Sequence, residues 1–275
     1  GGSKGLIKKN VRPLMGKPVI AYTIEAAQKS EHLTYTVVST DDSDISRIAL
    51  DHGANVPFVR PSELAEDDSP MVPVLRHAVK RVEEDQGIAV DIVVLLQPSS
   101  PLRTAEDIDS CIARFLDLNP EVLFSAQRSE ANPYYNLVEN RQNTPWIKLC
   151  KEPKKVLNCR QEAPATWTSH GAVIVYDCKA LFKYDHHLRM KETAIFEMPD
   201  ERILDIDNER DLVLAEFVMR DKLDKMGKLR RIDPETVSVS PASSIREVME
   251  LLNRSHKGFA LVTDPEGKYE GTVTD

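Results

Sequence analysis

Asp91-Ile-Val-Val-Leu-Leu-Gln-Pro-Ser-Ser-Pro-Leu-Arg-Thr104 decides the fold. Its first half is an unbroken β-branched and aliphatic run, the pattern of a strand covered on both faces in a parallel sheet. Gln97-Pro-Ser-Ser-Pro101 ends that strand, and Thr104 caps a helix whose first turn holds Glu106 and Asp107. Open α/β sheets place ligands at the carboxyl ends of such strands. Two prolines stiffen the loop and fix Gln97 and Arg103 as candidate ligand-facing side chains, although a rigid turn without a ligand accounts for the same residues.

The same alternation extends in both directions. Apolar residues recur at helical spacing from Lys17 to Ser30. Tyr35 to Ser39 is a β-branched strand, and Thr40-Asp-Asp-Ser-Asp44 opens a helix over Ile45–His52 that Gly53 ends. A short strand is expected near Val56–Val59, a helix from Pro70 to Gln86, strands at Gly171–Tyr176 and Arg202–Asp207, and a helix from Glu209 to about Leu223. Strands alternating with helices predict an α/β fold with a doubly wound, mostly parallel sheet. Between Leu123 and Tyr176 the chain reads as short strand-like pieces and loops.

Bulk properties narrow the function. The chain has 275 residues, of which 41% are hydrophobic and 29% charged, as in an ordinary soluble domain with room for a smaller second unit. No apolar run is long enough to span a membrane, and none has the form of a signal segment, so a cytoplasmic protein is expected. Four scattered cysteines lack zinc spacing and read as free thiols of a reduced compartment. A net charge of −8 argues against a nucleic-acid binder. Positive charge is instead concentrated at the start, where Lys4, Lys8, Lys9, Arg12 and Lys17 occur without one acid. There Gly1-Gly-Ser-Lys-Gly5 is a glycine loop with no strand in front of it, and the far end, Thr272-Val-Thr-Asp275, stops straight out of a strand-like run. Both ends read as cut from a longer chain.

Two further clusters carry chemistry. Glycines admit backbone N–H groups close to a phosphate and the lysines beside them add point charges, as nucleotidyl transfer requires when pyrophosphate leaves. A solvated loop has the same composition, and the loop is not a Walker A sequence. In Asp205-Ile-Asp207, a strand would send both carboxylates to one side and Ile206 to the core. Paired carboxylates suit Mg²⁺, which takes a few such ligands together with phosphate oxygens. A strand edge running into a helix capped by Asn208 explains the same residues without a metal.

Taken together, Gly2-Ser-Lys-Gly5 with Lys9-Asn10, Gly16-Lys-Pro-Val-Ile-Ala-Tyr-Thr23, Ser39-Thr-Asp41, Arg60-Pro-Ser-Glu-Leu64, Leu96-Gln-Pro-Ser-Ser-Pro-Leu-Arg103 and Leu204-Asp-Ile-Asp207 resemble the acylneuraminate cytidylyltransferases, the CMP-sialic acid synthetase family, over roughly residues 1–220. The resemblance implies a nucleotide-diphospho-sugar transferase type of sheet and an enzyme that joins CTP to a nine-carbon keto-acid sugar, giving CMP-sugar and pyrophosphate. It implies that Lys4 and Lys9 contact the triphosphate, Asn10 recognises the cytosine nucleotide, Arg60 helps hold it and Gln97 faces the sugar. It also implies that Asp205 and Asp207 bind Mg²⁺, with Asp207 near the attacking hydroxyl, and that a homodimer forms in which residues 127–170 reach the neighbouring site. The family's first strand, ending in Ala-Arg, is missing here, Met71 stands where a serine is common, and Thr168-Ser-His170-Gly-Ala172 replaces Arg/Leu-x-Asn-Gly-Ala. Asn132-Pro-Tyr-Tyr-Asn136 and Arg160-Gln-Glu-Ala-Pro164 look like the branch that handles legionaminic or pseudaminic acid. An eight-carbon or GTP-using sugar-nucleotide transferase, or a decayed nucleotide-sensing protein, are the competing readings.

The expected domain layout is 1–224 for the transferase, 225–231 for a basic linker and 232–275 for a small α/β unit. In that unit a helix from Ile245, strands at Phe259–Thr263 and Tyr269–Val273, Asp264-Pro-Glu-Gly267 and the closing Gly271-Thr-Val-Thr-Asp275 resemble the front of a cystathionine-β-synthase-type domain, which implies adenine-nucleotide binding. A hairpin and helix packed on the main domain is the alternative.

Overall fold

A computed structural model describes Leu6 and residues 8–66, 69–142, 144–225, 237–255, 259–265 and 268–274. Lys4 with its glycine loop, the linker residues 226–231, Glu266-Gly267 and Asp275 lie outside the described residues. The chain forms two compact units, Gly1–Met219 and Arg220–Asp275.

In the first unit a two-residue hairpin, β1 (Pro13–Leu14) and β2 (Lys17–Pro18), leads into α1 (Val19–Lys29). Helix α2 (Ser43–Asp51) starts at Asp42, whose carboxylate accepts from the N–H groups of Asp44 (2.8 Å) and Ile45 (3.1 Å). Such a cap is worth about 1 kcal/mol. Helix α3 (Met71–Gln86) ends at Gly87 in the left-handed region. Strand β3 (Ile92–Leu95) then runs into the Gln97 loop and α4 (Ala105–Leu118). There Thr104 and Asp107 satisfy one another's backbone N–H in a reciprocal capping box. Strand β4 (Val122–Arg128), a small hairpin of β5 (Val138–Asn140) and β6 (Ile147–Leu149), the long β7 (Trp167–Asp177), α5 (Cys178–Lys183), β8 (Thr193–Glu197) and the part of α6 (Glu209–Lys225) up to Met219 complete it.

The central sheet has the order β3-β7-β4-β8. Strand β7 runs antiparallel to both β3 and β4, and β8 runs parallel to β4, so three of the four strands share one direction. Period-two alternation sends its residues to two separate cores. Val122, Phe124, Ile174 and Tyr176 face α3 and α5, packing on Val72, Leu75, Val79 and Leu181. Leu123, Val173 and Val175 face α1 and α4, packing on Ala26, Ile108, Cys111, Ile112 and Phe115. Helices cover both faces, so the sheet is doubly wound as expected.

Three expected strands are reduced. The Tyr35–Ser39 and Val56–Val59 segments meet only through parallel bridges, Val37 with Asn55 and Thr40 with Val59. Arg202 closes a short 3-10 helix (Asp200–Arg202), and residues 203–207 join no ladder among the described residues. The burial alternation that the strand reading demanded survives there nonetheless: Ile206 is fully buried among Leu6, Leu14, Val19 and Leu212, and Asp205 and Asp207 are exposed. All four cysteines are unbridged, and among the described residues no helix is long and apolar enough to cross a membrane.

In the second unit β9 (Ser238–Val239), α7 (Ile245–Ser255), β10 (Phe259–Thr263) and β11 (Tyr269–Thr274) make a three-stranded sheet of order β11-β10-β9, antiparallel between β10 and β11 and parallel between β9 and β10. Ser244 and Glu247 form a capping box at the head of α7, with the Glu247 carboxylate 2.6 Å from the Ser244 N–H.

Candidate active site

The basic segment after Leu6 turns back through a short 3-10 helix over Lys9–Val11, with Lys8 in the left-handed region at its head (φ 54°). That turn points consecutive cations in different directions. Lys8 Nζ reaches Asp44 at the start of α2 (2.9 Å), Lys9 Nζ reaches Asp207 Oδ1 (3.0 Å), and Arg12 Nη2 reaches Glu209 at the start of α6 (2.7 Å). Lys8 is held above its usual range by the Asp44 carboxylate, and Asp44 below its own by Lys8. Asn10 lies in the same turn.

The Lys9–Asp207 pair joins residues 198 positions apart. The Lys9 side chain is 18% exposed and that of Asp207 is 71% exposed, so the ammonium is sheltered while the carboxylate stays open to solvent. Backbone contacts fix the acidic segment. Ile206 N–H donates to Ser99 O in the Gln97 loop (2.8 Å), and the N–H groups of Asp207 and Asn208 both donate to the Asp211 carboxylate (2.9 and 3.0 Å). Asn208 Oδ1 in turn accepts from Arg210 and Asp211 N–H. The helix-capping and the outward-carboxylate readings of this stretch therefore hold at once. Among the described residues no group of three or more His, Cys, Asp or Glu side chains could hold a metal by itself. Two exposed carboxylates one residue apart fit a Mg²⁺ ion that draws its remaining ligands from substrate oxygens and water.

On the sheet side, β4 and β7 fall out of register beside the loop. Phe124 pairs with Ile174 and Ala126 with Ser169, so two steps along β4 are matched by five along β7. The surplus residues bulge around Ser125, whose buried Oγ accepts from Val173 N–H (2.9 Å), donates to His170 O (3.2 Å) and lies 3.1 Å from His170 Nδ1. Gly171 sits in the bulge, and its carbonyl accepts from Gln97 N–H (3.2 Å). A Cβ at Gly171 would overlap the Gln97 carboxamide, which occupies that space. Burial pushes the His170 imidazole below its usual range, opposed by the nearby Ala126 backbone and by the Asp205 carboxylate. Gln97, His170, Asp205, Asp207 and Lys9 are thereby collected around the carboxyl end of β3.

Arg60 is half-buried, with Nε on Ser39 Oγ (3.1 Å) and Nη2 on Ser39 O, tying the two bridged segments together beside Thr40-Asp41. Burial lowers its pKa and Asp41 opposes the shift.

Arg103 corrects the sequence reading. It is 3% exposed. Its guanidinium is committed to Gln97 O (3.2 Å), Ala172 O (2.5 Å) and Thr23 Oγ1 (2.5 Å). Burial brings its pKa down to about 10, against the field of Asp107. The side chain supports the Gln97 loop from within the core. The serine–histidine contact, by contrast, escaped the sequence reading, although a lone glycine inside the β-branched run at 171–176 is a bulge signal.

The cytidylyltransferase family profile matches residues 1–228. The chain is 32% identical over 222 residues to the post-translational flagellin modification protein B of Campylobacter coli, covering 81% of this chain and 92% of that one. It is 33% identical over 219 residues to the CMP-N,N'-diacetyllegionaminic acid synthase of Campylobacter jejuni, covering 80% and 91%. Among solved structures, a CMP:2-keto-3-deoxy-manno-octonic acid synthetase complexed with CTP has the same fold, with a TM-score of 0.57 at 18% identity over 81% of this chain and 95% of that one.

Proposed function

The chain belongs to the cytidylyltransferase family, and from that premise we propose that it activates a nine-carbon, sialic-acid-like (nonulosonic) acid with CTP, releasing pyrophosphate and a CMP-sugar. The observation that carries this reading is the Lys9–Asp207 pair, with Asp205 on the same exposed side and Gln97 tied to the adjoining loop. A sheltered cation and two open carboxylates meet where a polyphosphate and its counter-ion need both signs of charge.

In the reaction the sugar's C2 hydroxyl oxygen bonds to the α-phosphorus in line with the departing bond, and its proton passes to the Asp207 carboxylate or to water. The bond from that phosphorus to the bridging oxygen breaks, and pyrophosphate leaves. Lys4 and Lys9 neutralise triphosphate oxygens, Asn10 and Arg60 hold the nucleotide, and Gln97 orients the sugar. Asp205 and Asp207 would hold Mg²⁺, which supplies charge neutralisation and alignment of phosphate oxygens. Positioning supplies much of the rest. The relative named for diacetyllegionaminic acid supports the bacterial branch of these sugars, in line with Asn132-Pro-Tyr-Tyr-Asn136.

The test is pyrophosphate release with CTP, GTP and UTP against legionaminic, pseudaminic and N-acetylneuraminic acids and an eight-carbon keto-acid sugar. Turnover with CTP and at least one nine-carbon acid is expected. Turnover confined to the eight-carbon sugar or to GTP would replace this reading with the competing transferase, and adenylate binding without any turnover would favour the sensor.

A second expectation arises at Gly171. In Gly171→Ala the new methyl group must displace the Gln97 carboxamide, the end of a flexible side chain, rather than backbone. The melting temperature should move by no more than about 3 °C, while kcat/KM for the sugar falls about tenfold or more, the scale of one misplaced substrate contact. An unchanged kcat/KM would remove Gln97 from the sugar site.

A further inference from the structure

His170 has one nitrogen engaged and one abandoned. Nδ1 lies 3.1 Å from Ser125 Oγ. Nε2 is buried and has no hydrogen-bond partner. A buried polar atom without a partner bears its full desolvation cost, so Nε2 is a place where a ligand or water gains a hydrogen bond. Two further observations place the ring beside Gln97 and Asp205. It stands in the bulge where five residues of β7 oppose two of β4, the kind of irregularity that turns a side chain out of the regular pleat. It also lies next to Gly171, against which the Gln97 carboxamide packs, and within the field of Asp205.

The two sides of the site differ in construction. Lys8 and the Thr40–Arg60 region belong to α2 and the bridged segments around it. Gln97 lies in the loop after β3, and His170 lies in β7 of the central sheet. The Lys9–Asp207 pair stands between them. If phosphates lie along Lys9 and Asp207, the nucleoside falls toward α2, and what approaches His170 is the acceptor sugar.

We propose that His170 Nε2 hydrogen-bonds a hydroxyl group of the acceptor sugar and so helps determine which sugar acid is used. This rests on the cytidylyltransferase reading given above. A hydroxyl is the group that suits the site. Ser125 has a single hydroxyl hydrogen, which goes either to His170 O or to Nδ1. The first leaves Nε2 an acceptor and the second makes it a donor. A sugar hydroxyl answers either tautomer, whereas a carboxylate answers one only.

The experiment is steady-state kinetics of the parent, His170→Ala, His170→Asn and His170→Gln, varying CTP and sugar acid separately, with a thermal melt of each. Glutamine places its amide nitrogen near the position of Nε2, and asparagine reaches only as far as Nδ1. For Ala and Asn, the KM for the sugar should rise about tenfold or more, with the KM for CTP within about twofold, and Gln should recover most of the loss. Unchanged sugar KM in Ala and Asn would overturn the proposal by leaving Nε2 to a water molecule. Equal losses for both substrates with a lowered melting temperature would overturn it in favour of a packing role. A parent without turnover on any nine-carbon acid would instead bring down the cytidylyltransferase reading, an outcome visible before any variant is compared.

Discussion

Asp207→Asn should reduce kcat by about a thousandfold or more, the scale set by losing several kcal/mol of metal-centred charge stabilisation, while the melting temperature stays within about 3 °C of the parent. The stability half follows from exposure. The Asp207 side chain is 71% exposed, and an ion pair open to water on one side contributes about 1 kcal/mol or less. The Asp207 N–H bond to Asp211 and the burial of Ile206 do not depend on the carboxylate, so the segment keeps its path. The activity half follows from charge. Without the carboxylate, one of two acids that would hold Mg²⁺ beside the phosphates is gone. Nucleotide binding in the absence of metal should change in the opposite direction. Asparagine releases Lys9 from its partner and removes a negative charge, so metal-free CTP should bind at least as tightly to the variant as to the parent. Calorimetric titration with CTP in chelator, beside pyrophosphate assays in Mg²⁺, reads both. Turnover within about tenfold of the parent would place the metal elsewhere.

Much of what positions this site is written locally. Asp42 and Thr104 announce the starts of α2 and α4 because a cap needs only its own next three residues. The Asp205-Ile-Asp207 alternation was legible for a similar reason: an extended backbone sends neighbours to opposite sides whether or not a ladder exists. What was not legible was the ladder. Among the described residues, 203–207 find no strand partner, and the Tyr35–Ser39 run contributes single bridges only, because pairing is decided by distant chain that hydrophobic pattern does not specify. The reversed direction of β7 was hidden too, since a buried apolar run reads the same either way. In the site, residue types pointed to Lys9, Gln97, Asp205 and Asp207. The encounter of Lys9 with Asp207 across 198 positions is a product of the tertiary fold.

Arg103 illustrates the converse, a charge whose neighbourhood in sequence suggests a ligand and whose place in the fold excludes one. Arg103→Met should destabilise the protein by about 3–5 kcal/mol, the cost of breaking a buried, hydrogen-bonded charge arrangement. At roughly 2–4 °C per kcal/mol for a domain of this size, the melting temperature should fall by about 6–20 °C. The loss has several parts. Gln97 O, Ala172 O and Thr23 Oγ1 lose a common donor in a place water does not reach. Asp107, also 3% exposed, loses one of two nearby cations and keeps Arg202, 3.4 Å away. The stem of Arg103 packs against the buried surroundings, and methionine replaces much of that volume, so the polar terms dominate the difference. Arg103→Lys separates charge from shape. It preserves the positive charge beside Asp107, but a single ammonium does not span the fork from Ala172 to Thr23. About half the loss should therefore remain. Were Arg103 a substrate contact, lysine would instead cost activity and spare the melt. Calorimetric melts of the two variants, set beside their sugar kcat/KM, distinguish these cases, and a methionine variant that melts within about 2 °C of the parent would remove the guanidinium from its supporting role.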